Sequence, residues 1–225
     1  MKALARGHAE LTSGGSGPKV RRMNAPQDTP LISLHPDPFI IFNQWFMEAR
    51  SRELELPEAM SLATSTVDGK PSLRMVLLKD AGPDGFVFYS NAESRKGREI
   101  AANPAAAICL HWKSLGRQVR AEGQLTIVDA ATADAYFRSR PRPSQIGAWA
   151  SDQSRPIADR GQLTARFGEF ERRFAGSDVP RPPHWLGYRL APSIIEFWQD
   201  VADRMHDRLV YSRRDGGWIT ERLAP

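Results

Sequence analysis

The sequence holds a single cysteine, Cys109, in 225 residues. One thiol excludes an intramolecular disulfide framework and fits a reducing compartment, so a cytoplasmic location is expected. No apolar run approaches the ~18 residues needed to cross a bilayer, and the first residues lack the apolar core of a signal peptide, so no membrane partner is expected. The five histidines (His8, His35, His111, His184 and His206) are scattered without ligand spacing, and there is no cysteine cluster, which argues against a structural zinc. A P-loop, a G-x-G-x-x-G fingerprint and a G-x-S-x-G elbow are all missing. Lysine-rich runs and aromatic ladders are missing as well.

What the chain does have is an excess of positive charge, 31 Lys and Arg against 26 Asp and Glu, a formal net +5. Residues 1–30 contribute five of the basic side chains (Lys2, Arg6, Lys19, Arg21, Arg22) and two of the acidic ones (Glu10, Asp28), which leaves 26 against 24 in the remainder. The same 30 residues include Ser13-Gly14-Gly15-Ser16-Gly17-Pro18, a linker composition with little to bury. Residues 1–30 are therefore expected to be a disordered tail, in part vector-derived, with Met23 as a second candidate start. A nearly neutral body, residues 31–225, is read as one domain, and nucleic acid is not expected as a partner.

Along the body, Asp37-Pro38 supplies a cap and a first-turn proline. Phe39, Phe42, Trp45, Phe46 and Ala49 follow at helical spacing and predict a helix over 37–54. Strand-like segments at 60–66, 72–79 and 86–90 are separated by Asp68-Gly69 and Gly82-Pro83-Asp84-Gly85. Ser94 caps a short helix to about 102. Strands are then predicted at 105–112 and 118–128, a helix at 129–139, a polar loop at 141–154 and a helix at 157–175. The chain closes with strands at 187–190, 194–199, 208–213 and 218–223. Short turns between strands, with helices between groups of strands, favour an antiparallel barrel with flanking helices over a doubly wound sheet.

The cations of the body fall at element ends. Arg74 and Lys79 flank the apolar run Met75-Val76-Leu77-Leu78. Being five apart they face opposite ways on a regular strand, and they share a site only if Lys79 lies at the strand end or a bulge intervenes. Ser94-Arg95-Lys96 puts a capped helix start and two cations together, although cations in a first turn oppose the helix dipole; a bound phosphate would offset that. Tyr136, Arg138, Arg140, Arg142 and Ser144 form a third group, which reads equally as a solvated helix end or as a second anion site. In Arg204-Met205-His206-Asp207-Arg208, strand alternation would align Arg204, His206 and Arg208 on one face near Trp198, suited to a planar anionic ligand. Cys109, inside an apolar strand, is expected to be an inert buried thiol.

At these residues the chain resembles the pyridoxamine 5′-phosphate oxidase family. The matching strings are RMVLLK (74–79), FYSN (88–91), SRK (94–96), RQV (117–119), YFRSRPRPSQIGAWASDQS (136–154), EFWQ (196–199), RMHDR (204–208) and RLAP (222–225). The resemblance implies an FMN-binding split β-barrel, α+β and mainly β, forming a homodimer with FMN at the subunit interface. It assigns cofactor contacts to Arg74, Met75, Val76, Leu77, Leu78, Lys79, Tyr89, Ser90, Arg95, Lys96, Gln118, Gln153, Ser154, Trp198 and Arg208. Arg95 and Lys96 would take the FMN phosphate. Substrate contacts fall to Lys79, Tyr136, Arg140, Ser144, Arg204 and His206, the last two being the candidate catalytic pair over the pyridine ring. The implied reaction oxidises pyridoxamine or pyridoxine 5′-phosphate to pyridoxal 5′-phosphate by hydride transfer from C4′ to flavin N5. Dioxygen is the acceptor and hydrogen peroxide a product, with ammonia released from the amine. The chain departs from the family's usual glycine-, proline- or aromatic/His-containing stretch at Asp200-Val201-Ala202-Asp203. The alternatives are a split-barrel flavin oxidase of the phenazine type and a non-catalytic flavin or pyridoxal-phosphate carrier of the same fold.

Overall fold

The computed structural model describes residues 31–225; the tail expected at 1–30 lies outside them. Helix α1 (Pro38–Arg52) starts as the sequence predicts, with the Asp37 carboxylate accepting from Phe39 N–H and proline in the first turn. Its Phe39, Ile41, Phe42, Trp45 and Ala49 are buried. They plug one end of a sheet made from β1 (Ala59–Ser65), β2 (Pro71–Leu77), β3 (Asp80–Gly82), β4 (Gly85–Asn91), β5 (Ala105–Trp112), β6 (Arg117–Ile127), β7 (Trp185–Gln199), β8 (Asp207–Arg214) and β9 (Gly217–Arg222). Helix α2 (Arg95–Ala102) joins β4 to β5, and α3 (Ala130–Ser139), α4 (Arg142–Ala150) and α5 (Arg160–Arg173) fill the connection from β6 to β7.

The strand order is β2-β1-β5-β6-β7-β4-β3, with β8 and β9 added on β7, and every pairing is antiparallel. This is a curled antiparallel half-barrel with helices. Strand β7 makes the curl. Its first half, 185–190, pairs with β4, its second half, 194–199, with β8, and β6 runs along both. The change of partner falls at a register shift opposite Glu122/Gly123, where Pro192 removes a ladder donor and a Cβ on Gly123 would stand 2.0 Å from the Ala191 carbonyl oxygen. The two strands expected at 187–190 and 194–199 are thus one bent strand: the proline marks a bulge.

The main core gathers Phe42, Met60, Leu62, Phe86, Phe88, Leu110, Trp112, Phe197 and Tyr211, all essentially inaccessible. A second core, Phe137, Ile146, Phe174, Val179 and Trp185, ties the helical segment to β7. Two expectations are corrected here. The predicted polar loop 141–154 contains α4: Ile146 is buried in the second core, Ala150 four residues on is buried too, and Pro143 is accepted because it lies in the first turn. The 204–208 segment is not all strand. Ala202–Arg204 is a 3-10 turn, Asp203 and Arg204 take left-handed φ values of 58° and 62°, and β8 begins only at Asp207.

Candidate active site

Turn chemistry shapes the phosphate-sized part of the site. The Ser94 side chain caps α2 by accepting from Gly97 N–H, and its hydroxyl donates to the Asn91 carbonyl. Gly97 lets the helix sit directly on this turn, since a Cβ there would be 2.2 Å from the Ala92 carbonyl oxygen. Gly97→Ala is expected to lower stability by about 1–3 kcal/mol, the usual cost of forcing backbone apart, seen as a drop in thermal midpoint of the apoprotein.

Behind that turn lies a buried ionic cluster that sequence reasoning missed. Glu99 of α2, only 5% exposed, accepts from Thr64 Oγ1 on β1 (2.5 Å), Ser72 Oγ on β2 (2.5 Å), Arg74 Nη2 (3.3 Å) and Arg95 Nε (2.9 Å). Burial alone would raise its carboxyl pKa. The hydrogen bonds from Ser72, Thr64 and Arg95 outweigh burial and hold it at about 2. Beside it, the ammonium of Lys96 is buried and donates to Ser94 Oγ (3.1 Å) and Gln153 Oε1 (2.6 Å). Burial first, then the neighbouring Arg74 charge, bring Lys96 down to about 8. No carboxylate among the described residues lies within ion-pair distance of Lys96, so it is a cation held ready for an anion.

These groups open into a cavity of about 810 Å³, lined by Arg74, Met75, Val76, Leu77, Lys79, Tyr89, Ser90 and Lys96 from one side and by Tyr136, Arg140, Ser144 and Gln153 from the other. Strand β2 is the edge of the sheet. Its free backbone edge, in addition to alternate side chains, therefore meets the cavity, which explains how consecutive residues of one strand can share a site. β2 ends at Leu77, so Lys79 stands past the strand end and lines the same cavity as Arg74, satisfying the condition set by the alternation argument. Tyr136, Tyr89 and Trp185 stack in series, with centroids 4.2 and 4.9 Å apart, and the Arg140 guanidinium lies 4.9 Å above the Trp185 ring. Arg140 Nη1 is buried without a hydrogen-bond partner.

Other expected site residues lie elsewhere. Leu78 is a core side chain at 3% exposure. Arg95 points largely outward, with only its Nε engaged by Glu99. Ser154, with φ +69°, lines a smaller cavity between α4 and α5. Gln118, Trp198 and Arg208 are opposite one another in the β6–β7–β8 register, on strands three, four and five places along the sheet from β2, and none of them lines the cavity. His206 joins them, its ring 4.8 Å from that of Trp198. Arg204 is exposed in the preceding turn, so the single strand face proposed for Arg204, His206 and Arg208 does not form. Arg208 is also not a free cation, because it pairs with Glu196, which binds Arg120 too. Trp185, Asn91, Gly147, Ala148 and Ser151 line the cavity without having been anticipated. Ser144, Gly147, Ala148 and Ser151 recur at helical spacing, a signal hidden by reading 141–154 as loop.

The cavity lining decides what it can hold. It contains four cations, Arg74, Lys79, Lys96 and Arg140, and no aspartate or glutamate. One buried ammonium without a carboxylate and one buried guanidinium nitrogen without a partner fit phosphorylated ligands, and the aromatic wall with the apolar edge of β2 fits a flat ring. Among the described residues no group of three or more His, Cys, Asp or Glu could hold a metal ion. A family model for pyridoxamine 5′-phosphate oxidase matches residues 46–173, and one for the pyridoxine 5′-phosphate oxidase C-terminal dimerisation region matches 185–225. The chain belongs to the pyridoxine/pyridoxamine 5′-phosphate oxidase family.

Relatives of this family agree over most of their length. The pyridoxine/pyridoxamine 5′-phosphate oxidase of Sphingopyxis alaskensis is 60% identical over 189 residues, covering 84% of this chain and 88% of the relative. That of Caulobacter vibrioides is 53% identical over 206 residues, covering 92% of each. Among solved structures, PhzG from Burkholderia lata, in complex with tetrahydrophenazine-1-carboxylic acid, superposes with a TM-score of 0.81 at 34% identity, over 85% of this chain and 94% of that one. An FMN-binding protein of Nostoc punctiforme related to pyridoxamine 5′-phosphate oxidase gives 0.68 at 20% identity, over 86% and 100%, and supports the fold. The oxidase fold is thus the split barrel expected from the sequence.

Proposed function

We propose that the protein oxidises pyridoxine and pyridoxamine 5′-phosphates to pyridoxal 5′-phosphate with FMN and dioxygen, in a site completed by two protomers. The reaction class and the cofactor are those of its family; the residue roles and the shared site are our reading. The observation that carries it is the four-cation, carboxylate-free cavity beside the edge strand β2. Lys96 and Arg95, with Arg74 behind them, would hold the FMN phosphate at the start of α2. The β2 backbone from Arg74 to Leu77, with Tyr89, Ser90 and Gln153, would line the rest of the cofactor. Lys79, Tyr136, Arg140 and Ser144 would take the substrate phosphate.

Bound there, FMN supplies a two-electron acceptor that returns its electrons to dioxygen. The protein's part is binding and orientation. The cations neutralise two phosphates inside a partly dry cavity, and Arg140 stays protonated there even though burial lowers its pKa. No side chain lining this cavity is a histidine or a carboxylate, so the groups that would address the substrate ring, Arg204 and His206, come from elsewhere.

Their origin follows from the sheet. In one protomer neither Trp198 nor His206 lines the cavity: β7 reaches it through Trp185, and Trp198 lies 13 residues farther along that strand, past the register shift near Pro192. Met75, Ser61, Cys109, Arg120 and Glu196 form a row on the sheet face opposite the core, and Leu73, Met75 and Ile194 are exposed on that face. Exposed apolar side chains around the Arg120–Glu196 pair on this face, in a chain carrying a dimerisation-region match, support a second copy as its cover. A two-fold arrangement would lay the Trp198–His206 corner of one protomer over the cavity of the other, with FMN at the interface. No helix among the described residues is long and apolar enough to cross a membrane; with the lone cysteine, we place the enzyme in the cytoplasm.

The direct test is purification followed by flavin absorbance and addition of pyridoxine 5′-phosphate in air. Pyridoxal 5′-phosphate and peroxide formed in equal amounts are expected. Bound FMN with neither product would remove the oxidase reading. In the same assay Arg204→Ala is expected to lower turnover by more than tenfold with FMN retained.

A further inference from the structure

The Asp200 carboxylate is the one charged group within ion-pair distance of His206 among the described residues, with Oδ1 3.0 Å from Nδ1. Asp200 directly follows the last residue of β7. Its backbone is pinned: Asp200 N–H donates to the Gly116 carbonyl (2.7 Å), and Gly116, at the left-handed φ of +60°, packs closely on it, since a Cβ there would be 3.0 Å from that of Asp200. The other end of the turn is also held. Met205 N–H donates to the Ala202 carbonyl, and Asp207, next to His206, accepts from Ile32 N–H (2.7 Å) and from Arg222. His206 is therefore gripped between two fixed points, with the Trp198 ring against it.

Two groups compete for Nδ1: the carboxylate at 3.0 Å and Val201 N–H at 3.3 Å. A carboxylate facing a bare nitrogen would set two acceptors together, so the shorter contact holds only with a proton on Nδ1, and a charge-assisted hydrogen bond prevails over a longer neutral one. We infer that Asp200 is a positioning residue for His206, holding the proton on Nδ1 so that Nε2 faces the substrate as a hydrogen-bond acceptor for its 4′ hydroxyl or amine. This rests on the reading of His206 as a substrate-ring residue.

The test uses the FMN-loaded protein. Nitrogen-15 NMR of the histidine ring, assigned by loss of the signal in His206→Ala, is expected to show the neutral ring protonated on Nδ1 in wild type and on Nε2 in Asp200→Ala. Asp200→Ala should lower kcat/KM for pyridoxine 5′-phosphate about tenfold, as for one misdirected hydrogen bond, with FMN affinity and thermal midpoint unchanged. Asp200→Asn should retain most of it, because its amide carbonyl can also accept from Nδ1–H. A wild-type ring protonated on Nε2 overturns the inference. So does an unchanged kcat/KM in Asp200→Ala while His206→Ala lowers it. If His206→Ala also leaves kcat/KM unchanged, the substrate-ring reading falls together with the inference.

Discussion

Lys96→Met is expected to weaken FMN binding by roughly 10- to 100-fold, the range for losing one charge-assisted hydrogen bond to a phosphate in a poorly solvated site. The buried ammonium already sits at the capped start of α2, oriented by Ser94 and Gln153, so little ordering remains when the phosphate arrives. The pH dependence carries a sign. Without ligand, Lys96 titrates at about 8, depressed by burial and by Arg74. A phosphate dianion favours the charged form, so FMN binding takes up a proton above that pH. Affinity should be flat just below pH 8 and fall toward tenfold per unit above it, until the pKa of the complex is reached. Titrating apoprotein with FMN by fluorescence quenching between pH 7 and 10 checks this. In Lys96→Met the slope should disappear.

The second large effect is on stability. Glu99→Leu should cost about 3–5 kcal/mol, because it strands Arg74 and two hydroxyls that the carboxylate now satisfies. Glu99→Gln keeps an acceptor for Thr64 and Ser72 and should cost less. In the wild type the folded carboxyl titrates at about 2 against an ordinary 4.5. Its contribution is therefore complete above about pH 4.5 and is lost as pH falls from there toward 2. Denaturant unfolding of the apoprotein at pH 7 and pH 3 should show the gap between wild type and Glu99→Gln narrowing at the lower pH.

Much of the fold and part of the site are legible in the sequence. Asp37-Pro38 and Ser94 announce α1 and α2 because capping is local chemistry, and the turn glycines separate the strands for the same reason. Arg74, Lys79, Lys96 and Arg140 stood out as cations at element ends, and four-cation convergence is what the cavity shows. Pairings made across the sheet were not legible. In sequence Glu99 looks like a surface i+4 partner of Arg95, and only the packing of α2 on β1 and β2 buries it. The pairing of Arg208, expected to contact the cofactor, with Glu196 is reached only through the β7–β8 register. The Arg204–Arg208 stretch follows a strand pattern, yet two consecutive left-handed residues break it into a turn. Helix α4 was obscured by the prolines at its start, which belong to a helical first turn as readily as to a loop.

The claim that binds these observations is that each site draws its cavity from one protomer and its Arg204–His206 corner from the other. Mixing subunits tests it. Lys79→Ala alters only the cavity half and Arg204→Ala only the corner half, and each variant alone should be nearly inactive. Refolded or co-expressed in equal amounts, they should form hybrids as about half of all dimers, each with one intact site, because a two-fold interface pairs each cavity with the partner's corner. Activity should return to about a quarter of the wild-type value. If the mixture stays as inactive as its two components while hybrid dimers are demonstrably present, the site lies within one protomer and the account is wrong.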